Sequence, residues 1–379
     1  WGSTVRRVRS EPRPDWQKRV EEYGLHYHTL RGEPYWDESA HYVFSKHEVD
    51  TLERATYALN DMCLALVQHV FDNKLFGLFL IPPEFEQFVI KSWDEDDRSI
   101  YGRFDLAYDG VGPPKLLEYN ADTPTALLEA SVAQWTWLKD FDERADQFNN
   151  IHERLIEAWE ALKEQDDGPI HFAAMNGYVE DFITVEYLRD TATQAGFKTA
   201  YLDVEDIGWD AGRKAFVDNG NRPIRRLFKL YPWEMLIRDD FGKNVLAART
   251  AWLEPAWKMI LSNKAILPLL WKLNPDSPFL VPASFDPLEG DYVRKPIHAR
   301  EGANITVIKD GQTAIETDGP YESKACVYQQ LIPLKSFDDR YPVLGSWIVN
   351  GWACGLGIRE DETMITGNAS RFIPHLMSD

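Results

Sequence analysis

Two short stretches of alternating side chains, Gly102-Arg103-Phe104-Asp105-Leu106 and Leu116-Leu117-Glu118-Tyr119-Asn120, limit what this chain can fold into more than any other feature. Between them lies Tyr108-Asp-Gly-Val-Gly-Pro-Pro114, dense in turn formers. Two segments of period two around a Gly/Pro loop predict a β-hairpin over 99–121. Strand geometry then puts Arg103 and Asp105 on one face of the first strand, and Glu118 and Asn120 on one face of the second. Phe104, Leu106, Leu117 and Tyr119 are left for the core side. In antiparallel register the polar residues converge. Two carboxylates and an amide oxygen are hard donors of the kind Mg2+ takes alongside phosphate oxygens. A guanidinium beside them can grip a phosphoryl or carboxylate group with two hydrogen bonds. A hairpin with a merely solvated polar face has the same pattern, so the next residues carry weight. Thr123-Pro124 predicts a helix start, with Thr as N-cap and Pro at the first position, running through Leu127–Phe141 toward Glu164. Free N–H groups there, near Thr123 and Thr125, would suit an anion.

The remaining chain reads as mixed α/β. At 379 residues it holds two or three packed lobes. Apolar spacing predicts a helix over 48–72. Strands are expected at Pro169–Ala173, Lys198–Leu202 and Arg225–Tyr231, and a helix at Thr184–Ala195, which together make a small parallel α/β unit rather than a dinucleotide-binding repeat. Residues 244–275 read as helical. Residues 290–372 read as strands, punctuated by turns at Lys309-Asp310-Gly311, Asp318-Gly319-Pro320 and Asn350-Gly351.

Charge and cysteine content narrow the function classes. A net charge of −20 disfavours nucleic acid and anionic membrane surfaces and favours cationic ligands, although solubility alone can account for it. Cys63, Cys326 and Cys354 form no CxxC pair, so neither a disulfide framework nor a zinc site is expected, in keeping with a reducing compartment. The first residues contain no apolar run of signal-peptide type, and no stretch is long enough to span a bilayer, so a cytoplasmic location is expected. Asn304-Ile-Thr306 and Asn368-Ala-Ser370 match the glycosylation pattern by chance on that reading.

The last third is cationic. Lys264 precedes an apolar helical run, Lys295 ends a strand in Tyr-Val-Arg-Lys-Pro, Arg300 follows in a glycine-containing polar segment, and Arg359 sits in Gly-Leu-Gly-Ile-Arg-Glu-Asp. Each alone reads as a surface residue, but together they are what phosphate binding needs. The sequence has no GxxxxGK[ST], HExxH or GxSxG pattern and no strand-borne GxGxxG, so any nucleotide is bound without a P-loop.

These segments carry a resemblance. GRFDL, KLLEYNADTPTALLEA, FKLYPWE, NKAILPLLWKLNP, YVRKPIHAREGANI, YQQLIPL and GSWIVNGWACGLGIREDETMITGNASRF, in that order and spacing, look like the glutathionylspermidine synthase family, in its stand-alone synthetase-like form without an amidase domain. The resemblance covers about residue 15 to the end. It implies an ATP-grasp fold, circularly permuted, with a small pre-ATP-grasp α/β unit: 1–165 with the metal-binding hairpin, 166–243 the α/β unit, and 244–379 the nucleotide-binding lobe and closing strands. It also implies ATP and Mg2+ as cofactors, and amide formation between a glutathione-like carboxylate and a polyamine or other amine through an acyl phosphate.

Residue by residue, the resemblance implies Asp105, Glu118 and Asn120 as magnesium ligands, and Arg103 as the group steadying the transferred phosphoryl. Thr123 and Thr125 stand where serines hold the acid substrate. Lys264 and Lys295 match lysines on the ATP phosphates and adenine, and Gln329, Gln330 and Leu331 match the strand that meets adenine. Arg300 lies on a mobile loop, Arg359 nearer the phosphates, and Glu180 with Asp181 match an acidic pair for the polyamine. A homodimer is compatible with the resemblance. The chain departs from the family pattern at Thr123-Pro-Thr-Ala126, where bifunctional members have Ser and Cys, and near Gly367-Asn368, where those enzymes have a lysine. A ligase for another peptide or amino acid and amine is therefore a second expectation. A non-catalytic nucleotide-binding protein is a third, disfavoured by the complete Arg103/Asp105/Glu118/Asn120 set.

Overall fold

Ser45 starts the longest helix through a reciprocal cap. Its hydroxyl accepts the Glu48 N–H, and the Glu48 carboxylate accepts the Ser45 N–H. The helix Lys46–Asp72 then buries Leu52, Leu59, Cys63 and Leu66 along one side, as the apolar spacing over 48–72 predicts. The structure, a computed structural model, describes residues 5–163, 168–321, 325–367 and 370–378.

The predicted hairpin forms from Tyr101–Ala107 and Lys115–Asn120. It is one edge of a five-stranded antiparallel sheet whose other strands come from the far end of the chain: Tyr341–Val349, Trp352–Asp361 and Arg371–Ile373. Asn350 and Gly351, both at positive φ, turn the middle pair. Period-two alternation gives this sheet two buried faces. Phe104, Leu344 and Ile348 pack with Lys46–Asp72, while Trp347, Val349 and Cys354 pack with the helices Gln134–Phe141 and Ile151–Lys163. Gly345 faces Asp105 in the adjacent strand, and a Cβ there would lie 2.7 Å from Arg103 Cδ. Its lack of a side chain makes room for Arg103.

Three expectations about this region are corrected. A β-bulge between Asp105 and Leu106 sets Leu116, not Leu117, opposite Leu106. Leu116 enters the core, whereas Leu117 is half-buried and lines a cleft. The helix does not begin at Thr123. Residues 121–126 form a loop with Ala126 at φ 65°, and helical structure starts at Leu127, passing through a π-turn at Glu129–Ala133. Tertiary hydrogen bonds decide this: Tyr101 donates its hydroxyl to the Pro124 carbonyl and Arg103 Nη1 donates to the Thr125 carbonyl. The long helical stretch is also broken after Phe141, where Asp142 is extended, before Ile151–Lys163 resumes. Glu164, its expected limit, lies outside the described residues.

The parallel unit is present, in the order Ala251–Leu253, Arg226–Leu230, Ile170–Ala174, Thr199–Asp203, with the helix Val179–Gln194 against it. Ala251–Leu253 lies inside 244–275, which was expected to be helical throughout. The three-residue strand is too short to show a period, and its pairing with Arg226–Leu230 is a tertiary choice. Helices there are confined to Lys258–Leu261 and Ile266–Leu273, after a 3-10 turn at Gly242–Leu246. A second antiparallel sheet runs in the order Ala283–Ser284, Cys326–Gln330, Tyr292–Pro296, Thr306–Lys309, Gln312–Glu316, turning at Asp310-Gly311 as expected. The three cysteines are buried thiols, none in a disulfide. Among the described residues no helix is long and apolar enough to cross a membrane.

Candidate active site

The polar face of the hairpin is built by register. Arg103 stands opposite Asn120 and Asp105 opposite Glu118. Arg103 grips Asp105 with two hydrogen bonds, Nε to Oδ1 at 2.6 Å and Nη2 to Oδ2 at 3.1 Å. Asn120 Nδ2 donates to Asp105 Oδ2 at 3.1 Å and to Glu118 Oε1 at 3.4 Å. Arg359, on the strand Trp352–Asp361, reaches the same Asp105 oxygen at 3.2 Å. Lys264 pairs with Glu118 Oε2 at 2.9 Å. Burial works to raise the Glu118 pKa, but Lys264 and Lys295 outweigh it and hold the carboxyl well below its usual range. Arg103 also lies over the Trp347 ring, 5.5 Å from its centroid.

Two clefts meet at this face. The first, of about 830 Å³, lies between the hairpin and the second antiparallel sheet, with Val293, Ile305, Val307 and Ile332 among its apolar walls. It receives Asp105, Glu118, Lys264, Lys295, Gln329, Gln330 and Leu331. Lys295 Nζ donates to the Leu117 carbonyl at 3.0 Å and to Gln329 Oε1 at 2.7 Å, and Gln329 Nε2 donates to the Leu116 carbonyl at 2.9 Å. Burial pushes the Lys295 ammonium down to about 8, against the attraction of Glu118. Leu331 spends its N–H on the Asp291 carbonyl at 2.9 Å.

The second cleft, of about 900 Å³, is polar and receives Arg103, Asn120, Thr123, Thr125, Glu180, Asp181, Arg300 and Arg359. Glu118, Gly302 and Thr366 line both, so the clefts adjoin across the hairpin. Arg300 Nη1 donates to Thr123 Oγ1 at 2.7 Å. Thr123 and Thr125 thus present a loop to the cleft rather than the helix N-terminus expected from sequence. Glu180 and Asp181 lie in the first turn of Val179–Gln194. Burial, then Glu180 and Glu301, push the Asp181 carboxyl up to about 7. The structure therefore brings every residue singled out by sequence to one of two neighbouring clefts. Gly367 lines the second, while Asn368, its partner in the family departure, falls outside the described residues.

Three features escaped the sequence reading. Asp122 is buried and bridges Lys229 Nζ at 2.8 Å and the Trp233 N–H at 2.9 Å, fixing the loop next to Thr123. Glu234 binds Arg300. Glu129 is fully buried, with Oε1 accepting the hydroxyls of Tyr27 at 2.5 Å and Tyr35 at 2.8 Å, and Oε2 lacking a partner among the described residues. Burial and then Glu180 push its carboxyl up to about 7. The available signals were a lysine inside the apolar strand Arg226–Leu230 and a glutamate inside an apolar helical run.

Comparison with known proteins gives a consistent set. A family model described as glutathionylspermidine synthase preATP-grasp matches residues 7–378. A Haemophilus influenzae protein provisionally described as an acid–amine ligase is 41% identical, over 98% of this chain and 99% of its own. Trypanothione synthetase of Crithidia fasciculata is 29% identical over 93% of this chain, and the bifunctional glutathionylspermidine synthetase/amidase of Escherichia coli 27% identical over 88%; the match spans 58% of the length of each. Among solved structures, a glutathione synthetase-like effector from Globodera pallida superposes with a TM-score of 0.59 at 10% identity over 96% of both chains, a likeness of fold alone.

Proposed function

The chain belongs to the glutathionylspermidine synthase preATP-grasp family, and from that premise we propose that it joins a carboxylate to an amine through an acyl phosphate, with a glutathione-like acid and a polyamine as substrates and ADP and phosphate as the other products. The observation that carries this reading is the junction of the two clefts. An apolar cleft with two lysines suits a nucleotide, a polar cleft with arginines and acids suits an acid and an amine, and Glu118 borders both.

A carboxylate is a poor electrophile, and phosphorylation supplies a leaving group. In the apolar cleft Lys264 and Lys295 hold the phosphates, while Gln329, Gln330 and Leu331 flank the base. The donor set fits Mg2+: Asp105 and Glu118 face each other across the hairpin beside the Asn120 amide, and neighbouring lysines keep Glu118 ionised. Those three residues would hold the ion, which when bound neutralises charge on the transferring phosphoryl group. Arg103 and Arg359, both already drawn to Asp105, give fixed positive potential beside it. The acid's oxygen attacks the γ-phosphorus and ADP leaves. The neutral amine then attacks the acyl carbon, phosphate leaves, and the amine's extra proton is lost. Glu180 and Asp181 hold a second ammonium of the amine while its reacting nitrogen is free of charge. A different acid–amine pair is a second reading, favoured by Thr123-Pro-Thr-Ala126, the turn at which the chain departs from the Ser and Cys of the family's bifunctional members.

The test is ADP release from MgATP across acid–amine pairs, glutathione with spermidine first, with mass detection of the amide. ADP and a matching conjugate only when both co-substrates are present support the proposal. ADP with other pairs alone shifts the substrates, and no ADP with any pair, while ATP still binds, overturns the ligase reading.

Lys295 gives this reading a pH signature. Its folded pKa lies below the ordinary lysine value, so the ammonium is present below about pH 8 and lost as pH rises through it. ATP affinity is expected to weaken by up to about tenfold, roughly 1.4 kcal/mol, between pH 7 and 9.5. Lys295→Met should bind ATP weakly with that pH dependence flattened, as calorimetry would show. The linkage to stability has the opposite sense: between about 8 and 10.5 the unfolded chain binds the extra proton, so stability rises with pH there.

A further inference from the structure

Arg300 stands where three parts of the fold meet. It lies in the loop joining Tyr292–Pro296 to Thr306–Lys309, beyond the second antiparallel sheet. One arm, Nη1, reaches Thr123 in the loop after the hairpin. The other, Nη2, lies 2.5 Å from Glu234 Oε1 at the end of the parallel unit. Their side chains are 26% and 14% exposed. The Arg300 Nε is buried and has no partner among the described residues, but the guanidinium lines the polar cleft, where the second N–H of each Nη is the donor an anion would meet.

Glu234 is itself firmly placed. It belongs to the short helix Trp233–Leu236, and its neighbour Trp233 is held at both ends: the backbone N–H by Asp122 and the indole Nε1 by the Glu254 carbonyl. Burial alone would raise the Glu234 pKa, but Arg300 and His298 outweigh it and keep the carboxyl ionised. The loop is also docked backbone to backbone. Gly302 has φ 68°, and a Cβ there would lie 2.5 Å from the Thr366 carbonyl oxygen. A threonine hydroxyl is one neutral acceptor and cannot by itself fix a guanidinium in rotation. The carboxylate can, because its charge and geometry match.

We propose that Glu234 is a positioning residue: it orients Arg300 and keeps its loop docked, so that the spare Arg300 N–H groups face an anion in the polar cleft. This rests on the ligase reading only in taking that anion to be the acid substrate or its acyl phosphate. The decisive variant is Glu234→Gln, which keeps the volume and removes the charge. Trypsin cleavage after Arg300, followed by mass spectrometry, is expected to be about tenfold faster in Glu234→Gln than in the parent, since loss of a charged hydrogen bond favours local opening. Glu234→Asp, which keeps the charge, should restore most of the protection, with the thermal midpoint unchanged in both. In turnover, Glu234→Gln should raise the KM for the acid about tenfold and leave that for ATP within about twofold; in an Arg300→Ala background it should add less than about twofold, because residues that act as a unit are not additive. Cleavage at the parent rate, or losses that multiply in the double variant, would overturn the proposal. If no acid–amine pair turns over, the ligase reading fails, and the cleavage result still decides the role of Glu234.

Discussion

Asp105→Asn is expected to lower ATP turnover by about three orders of magnitude with the fold intact. The carboxylate is 2% exposed and has three partners at once: Arg103, Arg359 and the Asn120 amide. Asparagine keeps the shape but removes the charge, so on the proposed reading it weakens metal ligation, and it unsettles the aim of both guanidinium groups. The fold tolerates the change because Arg103 retains the Thr125 carbonyl and its place over Trp347, and Arg359 remains a fifth exposed. Steady-state ADP release beside circular dichroism separates the two effects. Turnover within tenfold of the parent would remove Asp105 from the chemistry, while collapse of the dichroism signal would make it a folding residue.

Asp122→Ala should have the largest effect on stability, about 3–5 kcal/mol, because it strands the Lys229 ammonium in the core. Both side chains are at most 1% exposed, and among the described residues Lys229 keeps the Tyr231 carbonyl and its approach to the Trp233 ring. Burial already depresses the lysine's pKa. The double variant Asp122→Asn with Lys229→Met is expected to be more stable than Asp122→Ala, since replacing both members of a buried pair leaves no charge unmatched. Urea unfolding of the three proteins checks the order. Equal stability of parent and Asp122→Ala would mean that the pair contributes little.

How much of this was legible follows from which interactions are local. The hairpin face was readable because strand periodicity is a property of consecutive residues, and the facing of Arg103, Asp105, Glu118 and Asn120 follows from it. The bulge was not, since nothing in Leu116-Leu117 says which leucine faces Leu106. Thr123-Pro124 has the local chemistry of a helix start, but distant donors on Tyr101 and Arg103 claim the carbonyls of Pro124 and Thr125, and the helix waits until Leu127. The pairs Asp122–Lys229 and Glu234–Arg300 each join separate parts of the chain, so each partner reads as an ordinary charged residue until both are seen. Lys264, Lys295, Gln329 and Arg359 could be picked out by resemblance, but their meeting in neighbouring clefts is a property of the tertiary structure.

The sheet that carries the polar face is stitched from the two ends of the chain: the early hairpin pairs with Tyr341–Val349, which in turn holds Trp352–Asp361 and Arg359. During synthesis the hairpin therefore emerges long before its partner strand exists, and its inner edge stays unpaired for most of translation. Such distant pairing is slow and leaves a strand edge open to wrong partners in the meantime. A nascent chain that stalls before Tyr341 therefore leaves that edge open and is a candidate for chaperone capture.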